Sequence, residues 1–165
     1  ERGVSPKRAL WLLKAPRIRA AYVDAFSALA REHQVYIAAG SVPMVPPDRL
    51  TDICNTACVF APDGEMTVVA RKNHLVLLEP EEGLDFSAGT IEDYAILRMA
   101  GATIGVIVCA DGWDPEIAGA LVHQGAEVLV QVSANPEVWT DETKAGWEEG
   151  LFTRVQESGD RKSVV

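Results

Sequence analysis

The sequence predicts an α/β protein with a mixed central sheet. Short apolar runs of strand length alternate with segments whose apolar residues recur at helical spacing. Turn-forming residues join two pairs of these runs into hairpins. The run 128–132 is polar only at Gln131, which is typical of a strand buried on both faces. Strands that alternate with helices are the pattern of an α/β domain.

The first predicted element is an amphipathic helix over residues 16–33. Pro16 suits the first turn of a helix, and apolar residues then recur at helical spacing: Ile18, Tyr22, Ala25 and Leu29. The apolar run 35–39 predicts a buried strand. Three prolines within residues 42–50 predict a loop.

The next elements are strands. The turn signal Pro62-Asp63-Gly64-Glu65 separates runs 56–61 and 66–70, which predicts a hairpin. Residues 73–93 are rich in Glu, Pro and Gly. A loop of about 20 residues is too long to be a passive connector.

A second hairpin is predicted from runs 94–99 and 103–108. Pro115 begins a helix that continues to about His123, and Asp141 caps a last helix that continues to about Glu157. Residues 163–165 begin a further strand. No strand precedes the first helix, so we expect residues 1–165 to form a single domain that is incomplete at both ends.

The composition fits a folded protein rather than a disordered one. Hydrophobic residues make up 48% and charged residues 24% of the 165 residues. The net charge of −9 argues against nucleic acid and anionic membranes as partners. No apolar run approaches the roughly 20 residues of a membrane-spanning helix. We expect a cytoplasmic protein with a small-molecule or protein partner.

The three cysteines do not suggest a disulfide framework. Their odd number favours a reducing compartment. Cys54 and Cys58 are four residues apart, but no second Cys/His pair follows at ligand spacing, so we expect no metal site. These two cysteines are interpreted as apolar filler in a buried strand.

The segment around Cys109 carries the strongest functional signal. An apolar strand leads directly into Cys109, the chain turns at Gly112, and a helix begins near Pro115. This layout presents nucleophiles at the edge of an α/β sheet and directs backbone N–H groups toward them. Taken alone, a buried structural cysteine is the commoner interpretation.

Two further segments carry charge. Lys72 follows the strand after the first turn, and an acidic stretch covers residues 79–89. Each, taken alone, is interpreted as a solvated surface feature.

Together these segments resemble the carbon–nitrogen hydrolase (nitrilase) superfamily. The resemblance lies in Cys109 within V-C-A-D-G-W-D-P-E, in Lys72 within R-K-N-H-L, and in E-G-L-D-F-S-A-G between them. The stretches N-T-A-C-V-F-A-P-D-G, A-E-V-L-V-Q-V-S-A-N-P and R-V-Q-E-S-G add to it. The match covers roughly residues 16–159, so the sequence resembles a partial member of the superfamily.

The resemblance implies a four-layer α-β-β-α sandwich and a Glu-Lys-Cys catalytic set. Cys109 matches the nucleophile and Lys72 the catalytic lysine. Glu82 best matches a second glutamate, with Glu79 and Glu81 as close competitors. The general base is expected to be a glutamate well before the lysine.

For that base, the resemblance leaves two candidates, Glu1 and a glutamate upstream of this chain. The resemblance also implies substrate contacts from the backbone N–H after Cys109, and a homodimer or higher homo-oligomer formed through helices. No cofactor and no metal are implied. Candidate substrate-binding residues are Ala110, Trp113, Asn135 and Trp139.

The expected function is thiol-dependent hydrolysis of amide, N-carbamoyl or nitrile C–N bonds through a cysteine acyl-enzyme. One alternative is a catalytically inactive nitrilase-like binding or assembly module. A third possibility is a generic α/β domain in which Lys72 and Cys109 are unrelated and far apart.

Overall fold

The computed structural model describes residues 4–76, 78–80, 83–134, 138–158 and 163–164. Its helices are α1 (Pro6–His33), α2 (Pro115–Gln124), α3 (Asp141–Trp147) and α4 (Thr153–Ser158). Its strands are β1 (Ile37–Met44), β2 (Cys54–Phe60), β3 (Met66–Arg71), β4 (Ile96–Met99), β5 (Ala102–Val108), β6 (Val128–Val132) and β7 (Ser163–Val164).

The strands form two sheets. The first sheet has the order β1-β2-β3 and is antiparallel throughout. The second has the order β4-β5-β6-β7, in which β4 and β5 are antiparallel and the remaining pairs are parallel. Both predicted hairpins and the mixed sheet are therefore confirmed.

The two sheets pack face to face between helices. Strand residues alternate in direction, so β2 directs Ala57 and Val59 into the core shared with the second sheet. Its residues Cys58 and Phe60 pack instead against α1. On the second sheet, α2 contributes buried residues to the core: Ile117, Ala118 and Leu121. This order of layers is the expected α-β-β-α sandwich.

Helix α1 begins at Pro6, earlier than the predicted start at residue 16. Ser5 is its N-cap and accepts a hydrogen bond from the backbone N–H of Arg8 at 3.1 Å. Pro6 occupies the first turn, and Pro16 lies inside the helix. The predicted start at Pro16 is therefore wrong, because Ser5-Pro6 supplies both a capping side chain and a first-turn proline.

Strand β1 continues to Met44, so the loop predicted over residues 42–50 begins too early. Pro43 is tolerated because β1 is an edge strand of its sheet, where a missing N–H costs no ladder hydrogen bond. A change of register between Ala38 and Ser41 bends the same strand.

The helix predicted over 141–157 is interrupted. Between α3 and α4 the chain forms a π-helical turn, Glu148–Phe152. The N-cap is Thr140 rather than Asp141, because the Thr140 hydroxyl accepts from the N–H of Thr143 at 3.1 Å. None of the helices within the described residues has both the length and the apolar character needed to cross a membrane.

Candidate active site

Cys109 lies where β5 ends, at the predicted strand-to-helix bend. Its backbone φ of 51° is in the left-handed region, which is uncommon for a residue other than glycine. A 3₁₀ turn, Cys109–Trp113, follows, and Asp114 then caps α2. The bend turns the cysteine out of the strand direction and leaves its side chain partly exposed.

The bend is held from the neighbouring strand β6. Gln131 donates a hydrogen bond from Nε2 to the carbonyl oxygen of Cys109 at 2.7 Å. Gly112 leaves space for that side chain, because a Cβ at this position would lie 2.4 Å from Gln131 Nε2. The glycine in the motif is therefore explained by close packing against Gln131.

Lys72 follows directly after β3 and is 2% exposed. Its backbone is fixed by two hydrogen bonds of 2.8 Å, one to the carbonyl oxygen of Asn55 and one from the N–H of Gly89. Its Nζ lies 2.5 Å from Glu79 Oε2. A buried ammonium group needs such a partner, since an unpaired buried charge is costly. The interpretation of Lys72 as a solvated charge is therefore wrong.

Glu79 is the carboxylate that pairs with Lys72. Its Oε1 accepts from Asn55 Nδ2 at 3.0 Å, and its Oε2 also accepts from the N–H of Val76 at 3.0 Å. The favoured sequence candidate, Glu82, lies outside the described residues, as does Glu81. Of the three competing glutamates, the structure thus brings Glu79 to the lysine.

Cys109 and Lys72 border the same cavity, which has a volume of about 420 Å³. The generic α/β interpretation expected these two residues to be far apart. The described lining combines the Lys72–Glu79 pair with small polar and apolar side chains: Ser41, Asn55, Val76, Leu78, Val132, Ser133 and Ala134. We refer to this space as the Cys109 cavity.

The other predicted contact residues have different surroundings. Ala110 lies in the 3₁₀ turn beside Cys109. Trp113 packs edge-on against Trp147, with ring centroids 4.8 Å apart, and Trp139 is 63% exposed. Among the described residues, neither tryptophan lines the Cys109 cavity. Asn135 lies outside the described residues, as does Glu1.

Asp111 was not among the predicted site residues. This residue is fully buried and accepts hydrogen bonds from the segment that follows Lys72 and from Tyr94. Burial and the neighbouring carboxylate raise the pKa of Tyr94, which keeps its hydroxyl available as a donor. A carboxylate two residues after a candidate nucleophile, at the end of an apolar strand, was the signal available in the sequence.

The remaining cysteines are in different environments from Cys109. Cys54 and Cys58 are buried in β2, and burial raises the pKa of each thiol to about 11. Both are expected to be poor nucleophiles near neutral pH, because the thiolate is the reactive form. Their interpretation as buried strand residues is confirmed. In the described part of the chain, no group of His, Cys, Asp and Glu side chains could hold a metal ion.

Known protein families include one whose sequence model matches most of this chain. A family model described as carbon-nitrogen hydrolase matches residues 6–156. The chain belongs to the carbon-nitrogen hydrolase family. The match covers both Lys72 and Cys109, so the family resemblance seen in the motifs is confirmed.

Curated proteins similar to this chain include a formamidase and a glutamine-dependent NAD(+) synthetase. A formamidase from Bacillus thuringiensis (strain Al Hakam) is 32% identical over 111 residues, which is 67% of this chain and 31% of that protein. A glutamine-dependent NAD(+) synthetase from Rhodobacter capsulatus is 39% identical over 75 residues, 45% of this chain and 13% of that protein. The chain thus matches less than a third of either relative's length.

Solved structures share the fold. A carbon-nitrogen hydrolase from Helicobacter pylori G27 superposes with a TM-score of 0.71 at 24% identity, covering 99% of this chain and 56% of that one. An amidase from Nesterenkonia sp. AN1 gives a TM-score of 0.67 at 25% identity, covering 90% of this chain and 54% of that one. In that amidase variant, the acetamide moiety of fluoroacetamide is covalently added at the active site cysteine.

Proposed function

We propose that this carbon-nitrogen hydrolase cleaves small amides through a Cys109 acyl-enzyme. The observation that supports this most strongly is the meeting of Cys109 with the Lys72–Glu79 pair in one cavity. A thiol, an ammonium and a carboxylate supply a nucleophile, an oxyanion partner and a group that orients the lysine. Amides are weak electrophiles, and covalent catalysis divides their hydrolysis into two easier steps.

In the first step, a base takes the Cys109 proton and the thiolate attacks the carbonyl carbon. The resulting tetrahedral oxyanion is stabilised by the Lys72 ammonium and by the backbone N–H of Ala110. One such donor contributes about 3 kcal/mol to transition-state stabilisation. The C–N bond then breaks, the nitrogen takes the proton, and ammonia leaves. Water hydrolyses the thioester to release the acid and restore the thiol.

The residue that acts as base is a separate part of the proposal. Glu79 is poorly suited to it, because both of its oxygens already accept hydrogen bonds from Lys72, Asn55 and Val76. We assign Glu79 the role of the second glutamate, which orients Lys72. The base remains Glu1 or a glutamate upstream of this chain, as the family resemblance implies.

The cavity favours small neutral substrates. Within its described lining, the ammonium of Lys72 is neutralised by Glu79, and no arginine is available to bind a substrate carboxylate. The apolar walls, which include Val76 and Val132, suit a short acyl group. A formamidase and a glutamine-dependent enzyme among the relatives make formamide and glutamine natural test substrates. N-carbamoyl compounds and nitriles share the chemistry and complete the panel.

The test is ammonia release from this panel by the full-length protein, with any segment that precedes residue 1 included so that either candidate base is present, and by its Cys109→Ala variant. We expect release from at least one amide and none from the variant, which should keep its fold because Cys109 is not part of the buried core. Turnover by Cys109→Ala would contradict the thiol mechanism. If Cys109 forms an adduct with fluoroacetamide but no panel compound is hydrolysed, the inactive binding or assembly module becomes the better interpretation.

We also propose a cytoplasmic homodimer or larger homo-oligomer. All three cysteines are unpaired, as expected in a reducing compartment. Val138 and Trp139, which precede α3, are 81% and 63% exposed, and exposed apolar side chains of this size suit a contact between subunits. Sedimentation of the wild-type chain and of Trp139→Ser tests the assembly. A monomeric wild-type chain would contradict it.

A further inference from the structure

Asp111 connects the two parts of the chain that carry Lys72 and Cys109. It lies in the 3₁₀ turn that begins at Cys109, and its side chain is fully buried. Its Oδ2 accepts from the backbone N–H of Asn73 at 3.1 Å, and its Oδ1 accepts from the N–H of His74 at 2.7 Å. These donors are the two residues immediately after Lys72.

Two side chains complete the surroundings of this carboxylate. The Tyr94 hydroxyl donates to Oδ2, and His74 Nδ1 lies 3.0 Å from Oδ1. The other ring nitrogen of His74 lies 3.2 Å from Asp114, the N-cap of α2. A series of polar contacts therefore runs from the end of β3, through Asp111 and His74, to Asp114 at the start of the helix after Cys109.

The hydrogen bonds to Asp111 resist movement of the Lys72 segment relative to the Cys109 turn. A buried carboxylate is stable only while donors surround it, and three of its contacts come from Asn73 and His74. A shift of the Lys72 segment relative to the Cys109 turn would break hydrogen bonds to a charged group, which are stronger than hydrogen bonds between neutral groups. The two segments end strands of different sheets, so the sheets themselves impose no such register.

We propose that Asp111 is a positioning residue that fixes the Lys72 ammonium relative to the Cys109 thiol. This inference rests on the proposed function, because it assigns Asp111 an effect on catalysis through Lys72. Asp111 does not touch the substrate in this account. It determines whether the oxyanion partner stands in place when the thiolate attacks.

Asp111→Asn is the most informative substitution because it keeps the shape and removes one acceptor. On the Oδ2 side, the new amide would face the N–H of Asn73, and two donors cannot bond to each other. On the Oδ1 side, it would face the N–H of His74 with the same result. Either orientation releases one backbone contact in the segment that follows Lys72.

The experiment measures the acylation burst with p-nitrophenyl acetate, whose good leaving group needs no proton from the enzyme. The variants are Asp111→Asn, Lys72→Met and the double variant. We expect Asp111→Asn to lower the burst rate about 100-fold, as misplacement by about 1 Å can do. In the Lys72→Met background, Asp111→Asn should lower the burst rate less than about 3-fold, because the ammonium that Asp111 positions is already absent.

Equal losses in both backgrounds, or no loss at all, would overturn the inference. Asp93→Asn is the control, because Asp93 is a partly buried carboxylate that is likewise held by a backbone N–H, that of Thr90, and by two arginines, Arg49 and Arg71. It should change stability while leaving the burst rate nearly unchanged. A wild-type chain that shows no burst at Cys109 would count against the proposed function instead, so the two failures are distinguishable.

A second variant covers the case in which Asp111→Asn does not fold. Tyr94→Phe keeps the buried ring and removes one donor to Asp111. We expect the burst rate to fall about 5-fold when Lys72 is present and to stay unchanged when Lys72 is replaced, because the backbone N–H groups of Asn73 and His74 still hold Asp111 and only part of the positioning is lost. The control is Tyr22→Phe, whose hydroxyl donates to Gly40. A loss of the same size in Tyr22→Phe would contradict the proposal.

Discussion

The two strand ends that meet at the Cys109 cavity are built in different ways. The end of β3 holds Lys72 by charge and hydrogen bonds, through Glu79 and Asn55. The end of β5 holds Cys109 by backbone shape, through a positive φ and the space that Gly112 leaves for Gln131. The lysine end should therefore be sensitive to changes of charge, and the cysteine end to changes of volume.

The difference follows from the chemistry that each end is proposed to perform. A lysine that stabilises an oxyanion has to stay protonated and stationary, and a buried ion pair meets both needs. A nucleophile has to be accessible to a carbonyl carbon, and a sharp backbone turn exposes it beyond the strand. Substitutions at the end of β3 test the need for a fixed charge, and substitutions at the end of β5 test the need for an accessible thiol.

The largest effect is expected at the lysine end, from Lys72→Met. It should lower acylation about 1,000-fold, because the main oxyanion donor is lost. It should also destabilise the fold by about 3–5 kcal/mol, because the Glu79 carboxylate loses its buried partner. Burst kinetics and urea unfolding measure the two effects.

The double variant Lys72→Met with Glu79→Gln separates these effects. The Glu79→Gln change removes the carboxylate that lacks a partner once Lys72 is replaced. Most of the stability should therefore return, while the activity stays low. Activity that returned together with stability would show that Lys72 is structural only.

At the cysteine end, Gly112→Ala should lower the acylation rate about 100-fold without changing any charge. The added Cβ would lie 2.4 Å from Gln131 Nε2, so Gln131 must move and release the Cys109 carbonyl. Gly119→Ala is the control, since a Cβ there meets no atom within 4 Å and the position lies inside α2. That variant should be fully active and about 0.5–1 kcal/mol more stable. Equal activity in the two variants would contradict the volume argument.

A smaller effect should appear in acid, at a carboxylate outside the Cys109 cavity. Burial raises the pKa of Asp93, but the N–H of Thr90 and the guanidinium groups of Arg71 and Arg49 outweigh it. The pKa therefore lies below its ordinary value of 3.8. Because the pKa of Asp93 is lower in the folded state, its ionised carboxylate stabilises the fold at pH values above 3.8. This stabilisation is lost as the pH falls through the pKa of the folded state.

Thermal unfolding at several pH values checks this prediction. The Tm difference between wild type and Asp93→Asn should be largest near neutral pH and should shrink below about pH 4. A difference that grew in acid would contradict the sign.

The sequence carried enough information to predict the strands and the bend at Cys109. Apolar runs located both hairpins and β6, and the order of strand, cysteine, glycine and proline located the bend at Cys109. The start of α1 was misplaced because Pro16 was interpreted as the first-turn proline, whereas the helix begins earlier, at the Ser5 cap and Pro6. The extension of β1 through Pro43 was missed because edge position is a property of the sheet and not of the segment.

The candidate site was less predictable, because it depends on contacts between distant segments. Three glutamates close together in the sequence competed for one role, and only the fold of their loop places Glu79 on Lys72. The connection between Asp111 and the residues after Lys72 spans two sheets, and no local pattern encodes it. Local residue patterns predict helices and strands, whereas the partner of a buried charged side chain is determined by how distant segments pack.

The account depends most on Cys109 being a reactive thiol inside a cavity that admits amides. Mass mapping after incubation with fluoroacetamide tests this directly, with acetamide added as a competitor in a parallel sample. We expect one adduct per chain, at Cys109, which the competitor suppresses, and no adduct at Cys54 or Cys58 until the protein is unfolded. Adducts on Cys54 or Cys58 in the folded protein, or an unmodified Cys109, would contradict the account.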